Sequence, residues 1–348
     1  MFSIKAAKTQ VAVAVTTSFA LSTFALFNAY YFNIGSYKRK KGIRDWVHAL
    51  IRDFSRGEDL IVALEASLFP RGGSFAVLKA SPLAPVVPVR SISFAGGGFR
   101  TLSYMGQLLY LEKRGMIVKG VTRYYGASLG AFVATGMILG ETNPDAREKL
   151  MGGLLEYVCQ VADDWFGMWG VCGAACRAVL EEALPEDITP LNGRLFVSIT
   201  VFSPFPRNRL VSVFESKADL ISTLLASSFI PLWTDGPFPF ALWRGRPCLD
   251  GGIFDNIPTP GVQKAHVGDG SDPTRTKFGV LNPKSLEATL ARPQLRHEDG
   301  HFTCKDGHAP LTQVLRPPPH SSVEVAVLKE VRRGYLEARA AVVGYPGI

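Results

Sequence analysis

Twice between Val89 and Leu139, a short β-branched or aromatic run gives way to glycine and then to an apolar helical pattern. Val89–Phe94 reads as a strand, Gly96, Gly97 and Gly98 as a turn, and 102–114 as a helix. Val121–Tyr125 repeats the first step, Gly126 to Gly130 the second, and 129–139 the third. Strand, glycine turn and helix in tandem leave few architectures, because a strand followed by a crossover helix returns as a parallel neighbour. Helical patterns at 144–160 and 172–184, strand-like runs at 195–202 and 210–214, and a helix at 217–227 continue the alternation. The expected fold class is therefore α/β, with a mostly parallel central sheet covered by helices. Phe278–Leu281 fits one more strand and Val323–Val343 a closing helix. Most of 282–320, rich in Pro, His and charge, reads as loop.

With 47% apolar residues and 22 Phe in 348, the chain can bury a core of this kind. The net charge of +8 suggests nucleic acid until its location is considered. Lys5, Lys8, Lys38, Arg39, Lys40, Lys41 and Arg44 lie in the first 44 residues, which hold no acid. The remaining 31 bases face 30 acids, so no nucleic-acid partner is expected. Val11–Ile34 is 24 residues without a charge, followed by Tyr37 and the basic block at 38–41. That pattern predicts an N-terminal hydrophobic helix and a single-pass membrane anchor with the larger part of the chain cytosolic. A mitochondrial targeting segment, a cleaved signal and a buried helix are the other readings. Five cysteines, Cys159, Cys172, Cys176, Cys248 and Cys304, are too few and too uneven for a disulfide framework. The expected organisation is a basic-flanked anchor at 1–44, a helix and Pro-rich linker at 45–88, a main domain at 89–262, and an extension at 263–348.

Three places carry chemistry. Gly126-Ala127-Ser128-Leu129-Gly130 is a G-x-S-x-G sequence between strand and helix, the setting of a nucleophile elbow in which the serine sits on a sharp, strained turn. Gly96, Gly97 and Gly98 also follow a strand and precede a helix, so their backbone N–H groups can hold an oxyanion. A phosphate loop would need a Lys-Ser or Lys-Thr that is absent here, and a dinucleotide fingerprint would need glycine at Thr101. Arg100 is a candidate for steadying that loop or meeting an anionic head group. Asp250 ends a short apolar run and is followed by Gly251, Gly252, Asn256 and Pro258. A carboxylate beside a serine hydroxyl in a partly dry site can accept its proton.

Gly96–Gly98 with Arg100, Gly126-x-Ser128-x-Gly130, Ala226-Ser227-x-x-Ile230-Pro231, and Asp250-Gly251-Gly252 with Asn256 stand in the order seen in patatin-like phospholipases, which the stretch 90–262 resembles. The resemblance implies a three-layer α/β fold, Ser128 as nucleophile, Asp250 as its base in a two-residue dyad, and Gly96–Gly98 as oxyanion hole. Gly126, Gly130, Gly251, Gly252, Asn256 and Arg100 would support them. It also implies hydrolysis of acyl esters of phospholipids or neutral glycerolipids, at a membrane or lipid-droplet surface, without a metal or other cofactor. Thr101 departs from the family pattern, which has glycine there.

Three other readings stand beside this one. A Ser-Asp-His triad could draw on His266, His297, His301, His308 or His320, all after Asp250. A membrane-anchored inactive scaffold would account for Thr101. His297, His301, Cys304 and His308 have zinc-like spacing on paper, although the stretch reads as a polar loop.

Overall fold

The structure, a computed structural model, describes residues 88–163, 170, 172–202, 205–260, 294–296, 300–304 and 323–343. All of these lie in one compact unit, Gly42–Ile348. Strands β1 (Ser91–Phe94) and β2 (Arg123–Ala127) run in parallel, with Ser91 opposite Arg123 and Phe94 opposite Gly126. Helix α1 (Leu102–Lys113) connects them. Helices α2 (Leu129–Thr142), α3 (Pro144–Asp163) and α4 (Cys172–Ala183) follow. Asn143 separates α2 from α3, its side chain accepting from Ala146 N at 3.1 Å across the first turn of α3.

Strand β3 (Leu195–Phe202) joins the other edge of β2 in parallel and is buried along nearly its whole length. After Leu195, seven consecutive β-branched, aromatic or small residues suit a strand covered on both faces. It then outruns β2. β4 (Pro206–Val211) lines one edge of β3, pairing antiparallel with 197–202. After helix α5 (Lys217–Ser227) come β5 (Ala241–Trp243) and β6 (Arg246–Asp250). β6 pairs antiparallel with Ile199–Val201, while β2 pairs with Leu195–Ser198. Since β4 holds the first edge over both stretches, β2 and β6 must share the second edge, end to end. Ala127, the last residue of β2, lies opposite Ser198, and Asp250, the last of β6, lies opposite Ile199.

Two further strands, β7 (Gln294–Arg296) and β8 (His301–Cys304), complete an eight-stranded sheet, with β8 parallel to β1. Helix α6 (Val323–Val343) packs along α1. The core runs through Phe94, Tyr104, Leu108, Tyr124, Phe132, Val197 and Phe302, all fully buried.

The α/β alternation is as expected, and β3 and α5 have the predicted limits. The sheet is mixed, however: three of its strand pairings are parallel and four antiparallel. Hydrophobic pattern locates strands but carries no direction, and short hairpins reverse it. The strand expected at 121–125 starts two residues later, and that at 210–214 lies at 206–211. Within 282–320, read as loop, β8 is a buried central strand whose four residues were too few to show a period. The predicted strand at 278–281, the helix at 45–69 and the apolar stretch at 11–34 fall outside the described residues. Among the described residues, no helix is long and apolar enough to cross a membrane.

Helices α1 and α6 cross at two glycines. A Cβ on Gly106 would lie 1.7 Å from Val331 O, and one on Gly334 would lie 1.8 Å from Ser103 O. Alanine normally strengthens a helix by about 1 kcal/mol over glycine. Here Gly106→Ala and Gly334→Ala should each instead destabilise by about 1–3 kcal/mol through backbone displacement. Urea melts of the two variants provide the check, since a gain in midpoint would contradict the close crossing.

Candidate active site

Ser128 sits between β2 and α2 at φ 54° and ψ −137°, a conformation that strains any residue with a Cβ. Such strain amounts to about 1–3 kcal/mol and persists only where neighbours hold it. The Ser128 N–H donates to Ser227 Oγ at 2.9 Å, and Ser227 Oγ donates onward to Ser198 O at 2.7 Å. Ser128 O accepts from Ala131 N at 2.9 Å. The flanking glycines answer to space. A Cβ on Gly126 would lie 2.5 Å from Ala131 backbone, and one on Gly130 would lie 2.7 Å from Phe94 O. The elbow is thus folded tightly back on β1 and on its own helix. Ser128 is also the N-cap of α2, whose ten buried residues Gly130–Leu139 point the positive end of the helix at the hydroxyl.

Asp250 reaches Ser128 because β6 ends where β2 ends. Its carboxylate accepts the Gly252 N–H at 2.7 Å, and the Ser128 hydroxyl stands near enough to lower its affinity for a proton. Its backbone is pinned by Asp250 N to Phe229 O at 2.9 Å and by Thr200 Oγ1 to Asp250 O at 2.8 Å. Burial pushes the carboxyl up to about 6, and the Ser128 and Gly252 hydrogen bonds only partly offset that. It is still mostly ionised at neutral pH, with a far stronger affinity for a proton than a surface aspartate. Gly251 and Gly252 make the approach possible. A Cβ on Gly251 would lie 2.0 Å from Ser198 O, and one on Gly252 would lie 2.5 Å from Asn256 Oδ1.

The β1 loop closes the third side. Gly96 lies against Ser128, with space for a Cβ only 3.0 Å from Ser128 Cβ. Asn256 binds Gly96 twice: Asn256 Nδ2 donates to Gly96 O, and Gly96 N donates to Asn256 O, both at 3.2 Å. The Gly96 N–H is therefore occupied, which removes it from the predicted set of three oxyanion donors. Gly97 and Gly98 have no acceptor for their N–H groups among the described residues, and Gly98 takes φ 52°. Thr101 does not obstruct the loop. Its hydroxyl turns back to donate to Gly98 O at 2.8 Å and closes the short 3-10 turn Gly98–Thr101. Ser93 Oγ also donates to Pro258 O, tying β1 to the chain after Asn256.

The structure thus brings together Ser128, Asp250, Gly96–Gly98, Gly126, Gly130, Gly251, Gly252 and Asn256. Arg100 belongs to the same 3-10 turn, and its side chain is outside the described set. His301, one of the candidate triad histidines, lies in β8 level with Ser91, at the far end of the strands from Ser128, where its Nδ1 pairs with Ser91 Oγ at 2.8 Å. His301 and Cys304 stand three residues apart in that strand and so face opposite sides of the sheet, which separates two members of the zinc-like set. The other histidines fall outside the described residues. Ser227 and Ser198, which hold the elbow, are the functional residues that sequence reasoning missed. Ser227 was visible only as part of the Ala226-Ser227 motif, with no sign of what it bonds.

Comparison with known proteins follows the same stretch. The family described as patatin-like phospholipase matches residues 92–262. Patatin-like phospholipase domain-containing protein 2 of Rattus norvegicus is 33% identical over 181 residues, covering 48% of this chain and 35% of that protein. Patatin-like phospholipase domain-containing protein 4 of Homo sapiens is 32% identical over 173 residues, 48% of this chain and 66% of that one. A Mus musculus protein named 1-acylglycerol-3-phosphate O-acyltransferase Pnpla3 is 30% identical over 170 residues, 48% of this chain and 40% of its own length. The chain spans about a third of the length of the domain-containing protein 2 relatives it matches.

Two substitutions test these contacts. Ser227→Ala leaves the buried Ser128 N–H without its acceptor and should destabilise by about 1–3 kcal/mol in urea. Asp250→Asn should do the reverse. Because the folded carboxyl titrates near 6 rather than at its ordinary 3.8, charging it as pH rises through 6 weakens the fold, by about 3 kcal/mol at 1.36 kcal/mol per unit. The variant should match wild type at pH 4 and exceed it at pH 8, and equal stability at both would show that the carboxylate carries no burial penalty.

Proposed function

Because residues 92–262 belong to the patatin-like phospholipase family, we propose that this chain is a serine acyl hydrolase that cleaves fatty-acyl esters of glycerolipids. The observation carrying the proposal is the end-to-end meeting of β2 and β6 on β3, which sets the buried Asp250 carboxylate beside a strained Ser128.

In this mechanism Asp250 accepts the Ser128 proton as Oγ attacks the ester carbonyl. A carboxyl held near 6 is a better base than an exposed aspartate and stays ready at neutral pH. The developing oxyanion is received by the Gly97 and Gly98 N–H groups, which have no acceptor of their own among the described residues. The protonated Asp250 returns its proton to the leaving alcohol, and an acyl-Ser128 remains. Water, deprotonated by Asp250, then releases the fatty acid. An acceptor hydroxyl in place of water would give acyl transfer, the activity in the name of the Mus musculus relative. Arg100, in the turn that follows the oxyanion donors, is taken as the group that meets a phosphate head group. The interface at which the chain works is taken to be a membrane or lipid-droplet surface.

Purified chain incubated with phosphatidylcholine or triolein micelles should release fatty acid, and Ser128→Ala and Asp250→Ala should each lower kcat at least about a thousandfold. A serine-directed fluorophosphonate should label wild type and not Ser128→Ala, whereas intact lipid and unlabelled Ser128 in folded protein would leave the scaffold reading. The acid limb of kcat/KM should fall tenfold per unit below an apparent pKa of about 6, since only ionised Asp250 accepts the proton. That value lies close to an imidazole's, so pH alone does not separate dyad from triad. Its temperature dependence does: a carboxylate limb stays nearly fixed on warming, and a histidine limb moves to lower pH.

A further inference from the structure

Seven large hydrophobic side chains stand exposed among the described residues, and five of them, Phe205, Leu232, Phe238, Phe240 and Leu242, lie in β5 or in the chain that leads into β4 and β5. β5 and β6, with the start of β4, build out on β3 beyond the end of β2, the end of the sheet where Ser128 and Asp250 stand. Soluble proteins scatter such residues singly, and a concentration beside a site marks a contact surface.

Leu232 is held out against its own backbone preference. Ile230–Trp233 is a turn with Pro231 at its second position and Leu232 at its third, closed by Trp233 N to Ile230 O at 3.2 Å. The third position has φ 66°, which ordinarily calls for glycine. The turn buries Trp233 and leaves Leu232 59% exposed. Thr234 fixes it from below, its Oγ1 accepting Ile230 N at 2.8 Å. Strain spent on presenting an apolar side chain to solvent points to a partner that receives it. Phe238 and Phe240, each next to a proline, then lead the chain into β5.

The exposed charged side chains of β4 and β6 are all basic. Arg207 and Arg209 lie opposite Val201 and Ile199 on β4, and across β3 the partners of those two residues are Cys248 and Asp250 on β6. Arg246, two residues before Cys248, shares their face. All three are exposed and have no ion pair among the described residues, and stretches 205–213 and 236–249 contain no acid. Arg244, at the β5–β6 turn, is paired with Asp219 and stacks 4.8 Å from the centre of the Trp243 ring. The crowding is felt: burial and the like charges of Arg246, Arg207 and Arg244 lower the affinity of Arg209 for its proton.

We propose that this overhang is a docking surface for an anionic phospholipid bilayer, with Leu232, Phe238 and Phe240 entering the acyl boundary and Arg207, Arg209 and Arg246 meeting the head groups. The choice of a lipid partner rests on the acyl-hydrolase reading. Charge complementarity selects the anionic surface over a neutral one, and exposed aromatics beside the arginines suit the interface better than a soluble acidic protein. Docked in this way, the chain would hold Ser128 at the plane where ester carbonyls lie.

The test uses the full chain as Ser128→Ala, so that binding is read whether or not the protein hydrolyses lipid. Hydrogen–deuterium exchange is followed with vesicles of phosphatidylcholine alone and of phosphatidylcholine and phosphatidylserine in equal parts. Amides of 232–242 and 205–209 should slow with the mixed vesicles and much less with the neutral ones. Leu232→Ser with Phe238→Ser, and separately Arg207→Gln with Arg246→Gln, should remove that protection and weaken partitioning at least about tenfold. Three results would overturn the proposal: no binding to either vesicle, binding without slowed exchange in these segments, or a self-associating chain whose variants become monomeric, which would make a second copy the occupant. Fatty-acid release by wild type with no protection would retain the hydrolase and reject the docking face.

Discussion

One edge of β3 carries the site. β2 leaves that edge at Ser198 and β6 reaches it at Ile199 from the other direction, so two strands end against each other. A strained serine at the end of one strand and a carboxylate at the end of the other are brought together without any loop having to search for the position. Ser198 is the joint itself: its carbonyl accepts Ser227 Oγ, its hydroxyl lies 2.9 Å from Asn208 Oδ1 and 3.0 Å from Asp255 O, and Gly251 packs on its backbone. A side chain at Gly251 would force the two ends apart.

The joint holds two unfavourable states. Ser128 adopts backbone angles disfavoured for any residue but glycine, and Asp250 keeps a carboxylate in a place that favours the neutral acid. Each has a hydrogen-bond partner that holds it: Ser227 on α5 for the first, and the Gly252 N–H of the following turn for the second. Burial, which makes the carboxylate unfavourable, is also what raises its affinity for a proton. A rigid sheet is the means by which a fold tolerates both.

Much of this was legible beforehand because local chemistry leaves local marks. A strand, a G-x-S-x-G turn and a helix name Ser128 from short-range pattern alone, and Asp250 followed by two glycines reads as a tight approach. The hidden parts are non-local. That Gly96 N–H is consumed by Asn256, some 160 residues later, is a fact of packing that no spacing encodes. β8 was hidden for a different reason: four residues between polar loops are too short for a period to register, yet beside β1 they are fully buried. Thr101 stood out as a departure, and only the fold shows its hydroxyl closing the turn on Gly98 O.

What the sequence determined by itself, then, is the order of elements, the α/β class, and the identities of the serine, the aspartate and the glycine loop, since each depends on neighbours within a few residues. The tertiary structure decided the reversed directions of β4, β6 and β7, the meeting of Ser128 with Asp250, the raised affinity of that aspartate for its proton, and the exposure of aromatics and arginines on and around β4, β5 and β6. These depend on which segments share an edge and how much water remains between them, and chain proximity in space, unlike periodicity, is not written in adjacent residues.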